Sequence, residues 1–391
     1  MADVAVVICN YNKKSFVLEC IESVLGSDFK DFDLIVVDNA SEDGSAQAIK
    51  DRFSSRLTLI ENSENLGGSG GFNIGMQYAL NKNSYQYIQL LDDDVVIDKN
   101  AIGELYKFME KHPETGVCGS LICKAQSKTE IQEYGSIINY ELIGVTHLYT
   151  GDMVTDLLPD KVSCDYVPAC SAMYRIDVLK KTGVIDKDYF IYWDDMALCW
   201  EIRSKGYVVN ACAKSIVWHH GSYGTRTAFS RYYSLRNKIH CFVKYLNDDL
   251  YDQFPENLVN ILFRMFVVNH DDQGKIRDYF HALNDALNNV RGKASPYKLS
   301  SPESGNESLE NMFKDKDNIL FCNHILDVEK YDRSKIYIDN YGNKILENES
   351  FTFFESYEKH RDFFHKVFFS FVKSKLDALR ETIYLNQGIV K

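Results

Sequence analysis

Three small groups of side chains in this sequence could bind a metal ion or move a proton. They are the acidic triplet Asp92-Asp93-Asp94, the acidic pair Asp194-Asp195 and the histidine pair His219-His220. Carboxylates that crowd together repel one another and raise each other's pKa, and a divalent cation removes that cost. Two carboxylates, one imidazole and phosphate oxygens from a substrate would form an octahedral shell for Mg²⁺ or Mn²⁺.

The acidic triplet directly follows the apolar run Tyr87–Leu91, which predicts a position at the end of a buried strand. Asp92 and Asp94 are two residues apart, so in an extended segment their side chains lie on the same side and can share one cation. Asp93 would then point away, toward a ribose or toward the fold. A solvated loop is the alternative interpretation of three adjacent acids.

The acidic pair begins a predicted helix that runs from Asp194 to Lys205 and ends at Gly206. If the other groups hold a cation, the remaining acid is free to act as a base. A capping role is the alternative for Asp194, because aspartate is common at helix starts, and the helix dipole also favours a charge at Asp195. His219, taken alone, is better explained as a core histidine.

The segment Asn65–Gly71 contains four glycines in five positions, which is more than a turn requires. Glycine lets the backbone approach a ligand closely, and amides at the start of a following helix favour anions. The segment is neither a Walker A loop nor a GxGxxG motif, so an ordinary turn is the alternative. Beside an acidic triplet it predicts a pyrophosphate site, followed by a helix over Phe72–Leu80.

The first 120 residues alternate strand and helix patterns. The predicted strands are Val4–Cys9, Leu34–Val37, Leu57–Ile60 and Tyr87–Leu91. Repeated strand–helix units predict an α/β fold with a mostly parallel sheet and helices on both faces. Ligands of such sheets bind outside the carboxyl ends of the strands. Asp38, the glycine-rich segment and the acidic triplet all fall at those ends.

The chain changes character near residue 240, so we expect a catalytic domain at 1–240 and a mainly helical domain at 241–391. The polar stretch 291–318 predicts a linker within the second domain. A helix over Glu355–Leu385 carries an apolar stripe made of Phe363, Phe364, Val367, Phe368, Phe371 and Val372. The stripe favours packing on its own domain or on a second subunit, with peripheral contact to an anionic membrane as the alternative.

Composition narrows the class of protein further. The formal net charge of −12 argues against a general nucleic-acid binder. No run of 18 apolar residues exists and Met1–Val4 lacks signal-peptide features, so we expect a cytoplasmic protein without a membrane span. Ten cysteines without a CxxC motif predict free thiols and argue against a zinc site.

Four segments together resemble the inverting family 2 glycosyltransferases, which have a GT-A fold. These segments are Val6–Asn12, Val36–Ser45, Asn65–Asn73 and Leu91–Asp94. The Asn-Leu-Gly-Gly sequence and the Trp-Asp-Asp and Trp-His elements resemble the branch that holds rhamnosyltransferases and galactofuranosyltransferases. The resemblance covers residues 1–240, and the remaining residues resemble no family.

The resemblance implies a role for each matching residue. The expected metal ligands are Asp92, Asp94 and His219, and the expected nucleotide-sugar contacts are Asn10, Asp38, Asn65, Gly67, Gly68 and Asp93. Asp195 matches the catalytic base, with Asp194 beside it. The choice between His219 and His220 as the ligand stays open, because the two are adjacent.

These roles describe a metal-dependent transfer of a sugar, with rhamnose or galactofuranose favoured by the resemblance. The donor would be a nucleoside diphosphate sugar of the UDP or dTDP type, and the acceptor a glycan or lipid-linked glycan in cell-surface polysaccharide synthesis. Asp195 would accept the proton of the acceptor hydroxyl while a cation neutralises the departing diphosphate, and one displacement would invert the sugar.

Two alternatives to a glycosyltransferase stay open. A sugar-phosphate nucleotidyltransferase would usually carry a basic glycine loop after the first strand, where this chain has Asn10-Tyr11-Asn12-Lys13. A non-catalytic nucleotide-sugar or carbohydrate-binding module would not need Asp195.

Overall fold

The computed structural model describes residues 2–221, 227–269, 273–294, 319–322, 336–339 and 353–387. The chain divides into two compact units, of which the first is Met1–Asn139 with Val145–Thr225 and the second is Tyr140–Gly144 with Arg226–Lys391. The domain boundary expected at residue 240 falls inside a helix of the second unit. From residue 295 onward, the linker predicted at 291–318 lies outside the described residues.

Strands and helices alternate through the first half of the first unit, as the apolar periodicity predicts. Up to residue 111 they are β1 (Val4–Asn10), α1 (Lys14–Leu25), β2 (Phe32–Asp38), α2 (Ser45–Phe53), β3 (Thr58–Glu61), α3 (Gly67–Lys82), β4 (Tyr87–Asp92), β5 (Val95–Ile97) and α4 (Ala101–Lys111). Beyond it they are β6 (Thr115–Lys124), β7 (Ile131–Glu133), β8 (Ser136–Asn139), β9 (Gly144–His147), β10 (Lys161–Cys164), β11 (Ser171–Arg175), α5 (Ile176–Thr182), α6 (Asp194–Ser204) and β12 (Val208–His219).

One mixed sheet with the strand order β10-β12-β6-β11-β4-β1-β2-β3 forms the centre of this unit. Strands β4, β1, β2 and β3 are parallel, while β11 enters antiparallel between β4 and β6. The short strands β5 and β7 pair with β12 and β6. This architecture, with helices packed on the sheet, is the predicted α/β class.

Strand β1 explains why the sheet is covered on both faces. All but one of its residues are buried, and they alternate between two apolar cores. Ala5 and Val7 belong to one core, whereas Val4, Val6 and Ile8 belong to the other. A continuous apolar run is therefore a strand buried on both sides rather than an amphipathic one.

The glycine-rich segment differs from the prediction of a turn followed by a helix at Phe72. Helix α3 already begins at Gly67 and includes the later glycines. A Cβ on Gly71 would lie 2.1 Å from Cys9 Sγ, and one on Gly75 would lie 2.3 Å from Val7 Cγ1. The glycines therefore let α3 pack directly on β1.

The second unit is mainly helical, as predicted. It contains α7 (Ala228–Tyr245), α8 (Asp248–Val268), α9 (Gln273–Leu287), β13 (Ile319–Cys322), β14 (Ile336–Asp339) and α10 (Phe353–Asn386). The side chains of Thr227 and Asn247 cap α7 and α8 by accepting hydrogen bonds from backbone amides. Among the described helices, none is both long enough and apolar enough to cross a membrane.

The C-terminal helix α10 packs within its own unit over its described side chains. Val372 is fully buried, and Arg380 donates to the Leu246 carbonyl oxygen over 2.7 Å. The Arg380 guanidinium also lies 3.8 Å from the ring centre of Tyr251. The aromatic positions Phe363, Phe364 and Phe368 of the predicted stripe have side chains outside the described part of the chain.

Candidate active site

Parallel pairing brings the ends of β1, β2 and β4 to one edge of the sheet. Asn10 of β1 lies opposite Asp38 of β2, and Cys9 lies opposite Asp92 of β4. Strand β5 pairs with β12 in the register Val95 to His219, so the histidine strand reaches the same edge. We call this the carboxyl edge, and it gathers side chains that are more than 100 residues apart in sequence.

Asp38 connects the end of β1 to the loop that follows β2 at this edge. Its two oxygens accept hydrogen bonds from Asn10 Nδ2 over 2.8 Å and from the Ser41 amide over 2.9 Å. The residue is only 2% exposed. Asn10 Oδ1 is buried and has no hydrogen-bond partner among the described residues. Asp38 therefore holds the loops in place, and Asn10 offers the free acceptor beside it.

The acidic triplet is not the extended segment that we expected. Asp93 and Asp94 form a tight turn between β4 and β5, so spacing by two does not set their directions. Asp93 points toward the fold, where its carboxylate accepts a hydrogen bond from the Tyr11 amide over 3.2 Å. Lys13 Nζ lies 3.0 Å from Asp93 Oδ1 and 2.8 Å from Asp94 Oδ2. No sequence pattern indicated this lysine.

The two histidines point to different neighbours. His219 Nε2 lies 3.2 Å from Asp94 Oδ1, whereas His220 packs its ring 5.0 Å from Phe16 and its Nε2 lies 3.8 Å from Glu19. His219 is therefore the histidine beside the acidic triplet.

Gly221, which no sequence pattern indicated, keeps the surroundings of His219 open. A Cβ at this position would lie 2.5 Å from His219 Nε2 and 3.4 Å from Asp94 Oδ2. A side chain there would displace the histidine, so the close approach of backbone and imidazole requires glycine.

The ionisation of the triplet shows an excess of buried negative charge. Burial, followed by the charge of Asp94, raises the pKa of Asp92 to about 7. Burial also acts to raise the pKa of Asp94, but the His219 hydrogen bond and the Lys13 charge outweigh it and lower that pKa. For His219 the Asp94 hydrogen bond and the carboxylate charges outweigh burial and raise the pKa. A cation at Asp92 would relieve this crowding.

The side chains present fit such a cation. One ligand atom from each of Asp92, Cys170 and His219 lies within 4.8 Å of the other two. Asp94 Oδ1 is buried and receives no well-directed hydrogen bond among the described residues. Carboxylate oxygens and an imidazole nitrogen are suitable ligands for Mn²⁺ or Mg²⁺.

Gln132 of β7 is a further residue of this site that the sequence did not indicate. Its Nε2 lies 2.9 Å from His219 Nδ1, while its Oε1 is buried without a partner among the described residues. A half-turn of the amide exchanges these two atoms. Nδ1–H of His219 would then donate to Oε1, which leaves the Nε2 lone pair free for a metal.

The acidic pair lies at the start of α6, as predicted, and its two members differ. Asp195 Oδ2 accepts hydrogen bonds from Tyr166 OH and the Ala169 amide, both over 3.0 Å. Burial raises the pKa of Asp195 above its usual range against these hydrogen bonds. Asp194 is 8% exposed, and burial together with the Asp195 charge raises its pKa to about 7. Tyr166 was not foreseen.

The backbone before the acidic pair is strained. Phe190, Tyr192 and Trp193 have φ angles of 68°, 64° and 69°. Each left-handed non-glycine residue costs about 1–3 kcal/mol, and such residues cluster at functional sites. Gly67 fits against this segment, because a Cβ there would lie 2.0 Å from the Phe190 carbonyl oxygen. The strained segment thus links the start of α3 to the acidic pair.

Cys9 lies near carboxylates of both acidic clusters. Its pKa is raised first by burial and then by the charges of Asp93, Asp92, Asp38 and Asp194. One thiol at the end of β1 therefore lies within the field of both clusters and of the β2 carboxylate.

Sequence comparison identifies the family of the segment that carries Asp38, the glycine-rich segment and the acidic triplet, whereas Asp194, Asp195 and His219 lie beyond the matched residues. Residues 5–183 match the family model "Glycosyl transferase family 2". The chain therefore contains a glycosyltransferase family 2 domain, which confirms that part of the predicted resemblance. The chain is also 24% identical over 214 residues to a poly-beta-1,6-N-acetyl-D-glucosamine synthase of Staphylococcus epidermidis. The match covers 53% of this chain and 47% of that relative, so the chain spans about half the relative's length.

A second relative by sequence and two solved structures are also similar to this chain. A poly-beta-1,6-N-acetyl-D-glucosamine synthase of Staphylococcus aureus is 22% identical over 217 residues, which are 53% of this chain and 47% of the relative. The S. aureus TarS 1-349 structure in complex with UDP-GlcNAc aligns with 74% of this chain and 82% of its own, at 15% identity and a TM-score of 0.46. The mannosyltransferase PcManGT of Pyrobaculum calidifontis, in complex with GDP-Man and Mn²⁺, aligns with 79% and 80% at 15% identity and a TM-score of 0.45. Likeness this distant does not establish a shared substrate.

Proposed function

We propose that this protein is an inverting glycosyltransferase that moves a sugar from a nucleoside diphosphate donor to a hydroxyl group of a glycan. The observation that carries the proposal is the presence of two different carboxylate clusters at one edge of one sheet. One cluster is suited to a cation and a diphosphate, and the other is suited to a proton. A single displacement needs both functions on opposite faces of the sugar.

The donor side would use the carboxyl edge. Asp92, Asp94 and His219 would hold Mn²⁺ or Mg²⁺, which neutralises the charge that develops on a departing diphosphate. Lys13 is already among these carboxylates and brings a second positive charge to the diphosphate. The nucleotide and its sugar would contact Asn10, Asp38, Asn65, Gly67, Gly68 and Asp93. Among the glycines, Gly68 has open space around it, which a ligand can fill.

The acceptor side would use the acidic pair. Asp194, with a pKa of about 7, holds a proton for much of the time at neutral pH. Hydrogen bonds from the Ala169 amide and Tyr166 favour the charged form of Asp195, so Asp195 is the member that we assign as ionised. Tyr166 and the Ala169 amide occupy its Oδ2, whereas Oδ1 accepts only from the Met196 amide among the described residues and has a second lone pair for the acceptor hydroxyl. Asp195 therefore remains the proposed base.

Two sources suggest different donor sugars. The Asn-Leu-Gly-Gly and Trp-Asp-Asp elements resemble rhamnosyltransferases and galactofuranosyltransferases, which use UDP- or dTDP-type donors. The relatives by sequence are named for the synthesis of an N-acetylglucosamine polymer. The resemblance also implies a glycan or lipid-linked glycan acceptor in cell-surface polysaccharide synthesis, at the cytoplasmic face of a membrane. The C-terminal region would provide peripheral membrane contact or a contact between subunits.

A donor panel would test this function. The intact chain with Mn²⁺ is mixed with UDP-galactofuranose, dTDP-rhamnose, UDP-N-acetylglucosamine and GDP-mannose, and thermal stabilisation identifies the bound donor. That donor is then incubated with short glycan acceptors, and NMR reports the anomeric configuration of the product. We expect nucleoside diphosphate release and inversion. Release of pyrophosphate from a nucleoside triphosphate and a sugar phosphate would instead indicate a nucleotidyltransferase, and donor binding without turnover would indicate a binding module.

A further inference from the structure

The sheet register brings a thiol into the carboxylate cluster. Cys170 directly precedes β11, and the antiparallel pairing of β11 with β4 places it beside Asp92. The Asp92 amide donates to the Cys170 carbonyl oxygen over 3.2 Å, which fixes the two residues side by side. The Cys170 thiol, the Asp92 carboxylate and the His219 imidazole each offer a ligand atom within 4.8 Å of the others.

We propose that Cys170 Sγ is a ligand of the cation that binds at Asp92 and His219, and that it makes this site prefer Zn²⁺ or Co²⁺ to Mg²⁺. This inference rests on the proposed function only in assuming that a cation binds there. It requires no particular donor, acceptor or turnover. It also revises the expectation from spacing, because the absence of CxxC argued against a zinc site.

The distances suit a single ion. Bonds from a transition metal are about 2.0–2.2 Å to nitrogen and oxygen and about 2.3 Å to sulfur. Two ligands of one ion therefore lie at most about twice that length apart. The candidate ligand atoms of Asp92, Cys170 and His219 lie within 4.8 Å of one another, which is close to this maximum separation. Small side-chain rotations would bring all three atoms into contact with one ion, and Asp94 Oδ1 lies 3.2 Å from the same His219 nitrogen.

The neighbouring thiols show that position, not composition, singles out Cys170. Cys20 is also buried near the triplet, but its Sγ contacts the Asp92 carbonyl oxygen over 3.5 Å rather than a carboxylate. Cys118 is buried inside the sheet and its thiol contacts the Gly119 carbonyl oxygen. A buried cysteine usually acts as a small apolar side chain, and both of these fit that description.

A thiolate ligand changes which metals bind. When the ion binds, the Cys170 S–H bond breaks, the sulfur pair forms the metal bond and the proton passes to solvent. Sulfur and imidazole ligands favour Zn²⁺ and Co²⁺, whereas Mg²⁺ prefers an all-oxygen shell. The proposed site would therefore bind Zn²⁺ and Co²⁺ through sulfur, nitrogen and oxygen atoms, and Mg²⁺ through oxygen atoms alone.

Absorption spectroscopy with Co²⁺ tests the thiol directly. The intact chain is freed of metal and titrated with Co²⁺, and a thiolate-to-cobalt charge-transfer band in the near ultraviolet is expected. Cys170→Ser should lose this band yet still bind Co²⁺ by calorimetry, while Cys118→Ser and Cys20→Ser should keep it. Co²⁺ binding to the unmodified chain without the band would overturn the proposal, whether or not any variant folds. Loss of the band in Cys20→Ser alone would overturn it too.

Competition between metals gives a second measurement. Cys170→Ser should lose at least about tenfold in Zn²⁺ affinity, the lower end of what disturbing a metal site costs, and should bind Mg²⁺ as before. Equal losses for both metals would indicate a structural role and contradict the proposal. If the unmodified chain binds no Co²⁺ and no Mn²⁺ at all, both this site and the metal-dependent part of the proposed function are wrong. Failure of transfer activity alone would leave the spectroscopic result intact.

Discussion

The two carboxylate clusters of the first unit differ in what surrounds them. Asp93 and Asp94 are in contact with Lys13, and Asp94 also lies beside His219, so the triplet is compensated by positive groups. Asp195 is held instead by the neutral hydroxyl of Tyr166 and by backbone amides. The first arrangement suits a site that binds charge, and the second suits a site that exchanges a proton.

The difference also explains why similar pKa values have different meanings. Asp92 and Asp194 both have a pKa of about 7, and burial is the largest cause for each. Asp92 adjoins groups that can ligate a metal, so a cation can replace its proton. Asp194 adjoins the like-charged Asp195, whose charge is the second cause of its raised pKa, so the two acids titrate as a pair. The neighbours of each acid, rather than its own pKa, therefore separate their roles.

The largest expected effect is on the acidic pair. Asp195→Asn keeps the size of the side chain and part of its hydrogen bonding but cannot accept a proton. We expect turnover to fall by about 10²–10⁴-fold, the usual contribution of a general base, with donor affinity little changed. Steady-state kinetics and calorimetry with the donor measure the two effects. Asp194→Asn is the matched control, and a larger loss of turnover there than in Asp195→Asn would reverse the two roles.

The next effect concerns the triplet and its histidine. His219→Ala should weaken Mn²⁺ binding and donor binding together, by about 10–100-fold or more, because metal sites are sensitive to losses of this kind. His220→Ala removes a ring that packs on Phe16 and should change thermal stability alone. Calorimetric Mn²⁺ titrations of both variants show which of the two histidines is a metal ligand. Unchanged Mn²⁺ affinity in His219→Ala would make it a core histidine.

Sequence periodicity was sufficient to predict the parallel half of the sheet and its carboxyl edge. Strands such as β1 are continuous apolar runs, and their ends fall at Asn10, Asp38 and Asp92. The start of helix α6 at Asp194 and the mainly helical second unit were also predicted. These features follow from local hydrophobic patterns, because burial of the apolar side chains stabilises the backbone conformation that matches each pattern.

Long-range strand pairing places the site residues that local sequence patterns did not indicate. Gln132, Tyr166 and Cys170 reach the two clusters only because β7 pairs with β6 and β11 inserts antiparallel beside β4. No spacing rule relates these residues to positions 29 or more residues away. The start of α3 at Gly67 was mispredicted because glycine is a poor helix former, and here close packing on β1 overrides that propensity.

A smaller effect would sharpen the description of the triplet. Gln132→Glu places a carboxylate oxygen beside His219 Nδ1 and should preserve or increase Mn²⁺ affinity, because it accepts the Nδ1 hydrogen. Gln132→Leu removes that acceptor and should reduce Mn²⁺ affinity by about 10-fold. Calorimetry measures both, and circular dichroism controls for folding. Equal Mn²⁺ affinity in the two variants would mean that Gln132 only packs against the histidine.

The smallest expected effect uses the pH dependence of stability to separate the clusters. The folded pKa of Asp194, about 7, lies above its ordinary value of 3.8, so the folded state binds the proton more tightly than the unfolded state. Its contribution to stability is therefore fully present below the unfolded pKa and is lost as the pH rises through about 7. Asp194→Asn removes the ionising group, so its melting temperature relative to the unmodified chain should be higher at pH 8 than at pH 5.

The comparison is made in metal-free buffer and again with Mn²⁺. Addition of Mn²⁺ should leave the Asp194→Asn difference unchanged and should reduce the matching difference for Asp92→Asn, because the cation compensates only the Asp92 charge. A response of the Asp194 difference to Mn²⁺ would contradict the separation of the clusters into a cation site and a proton site.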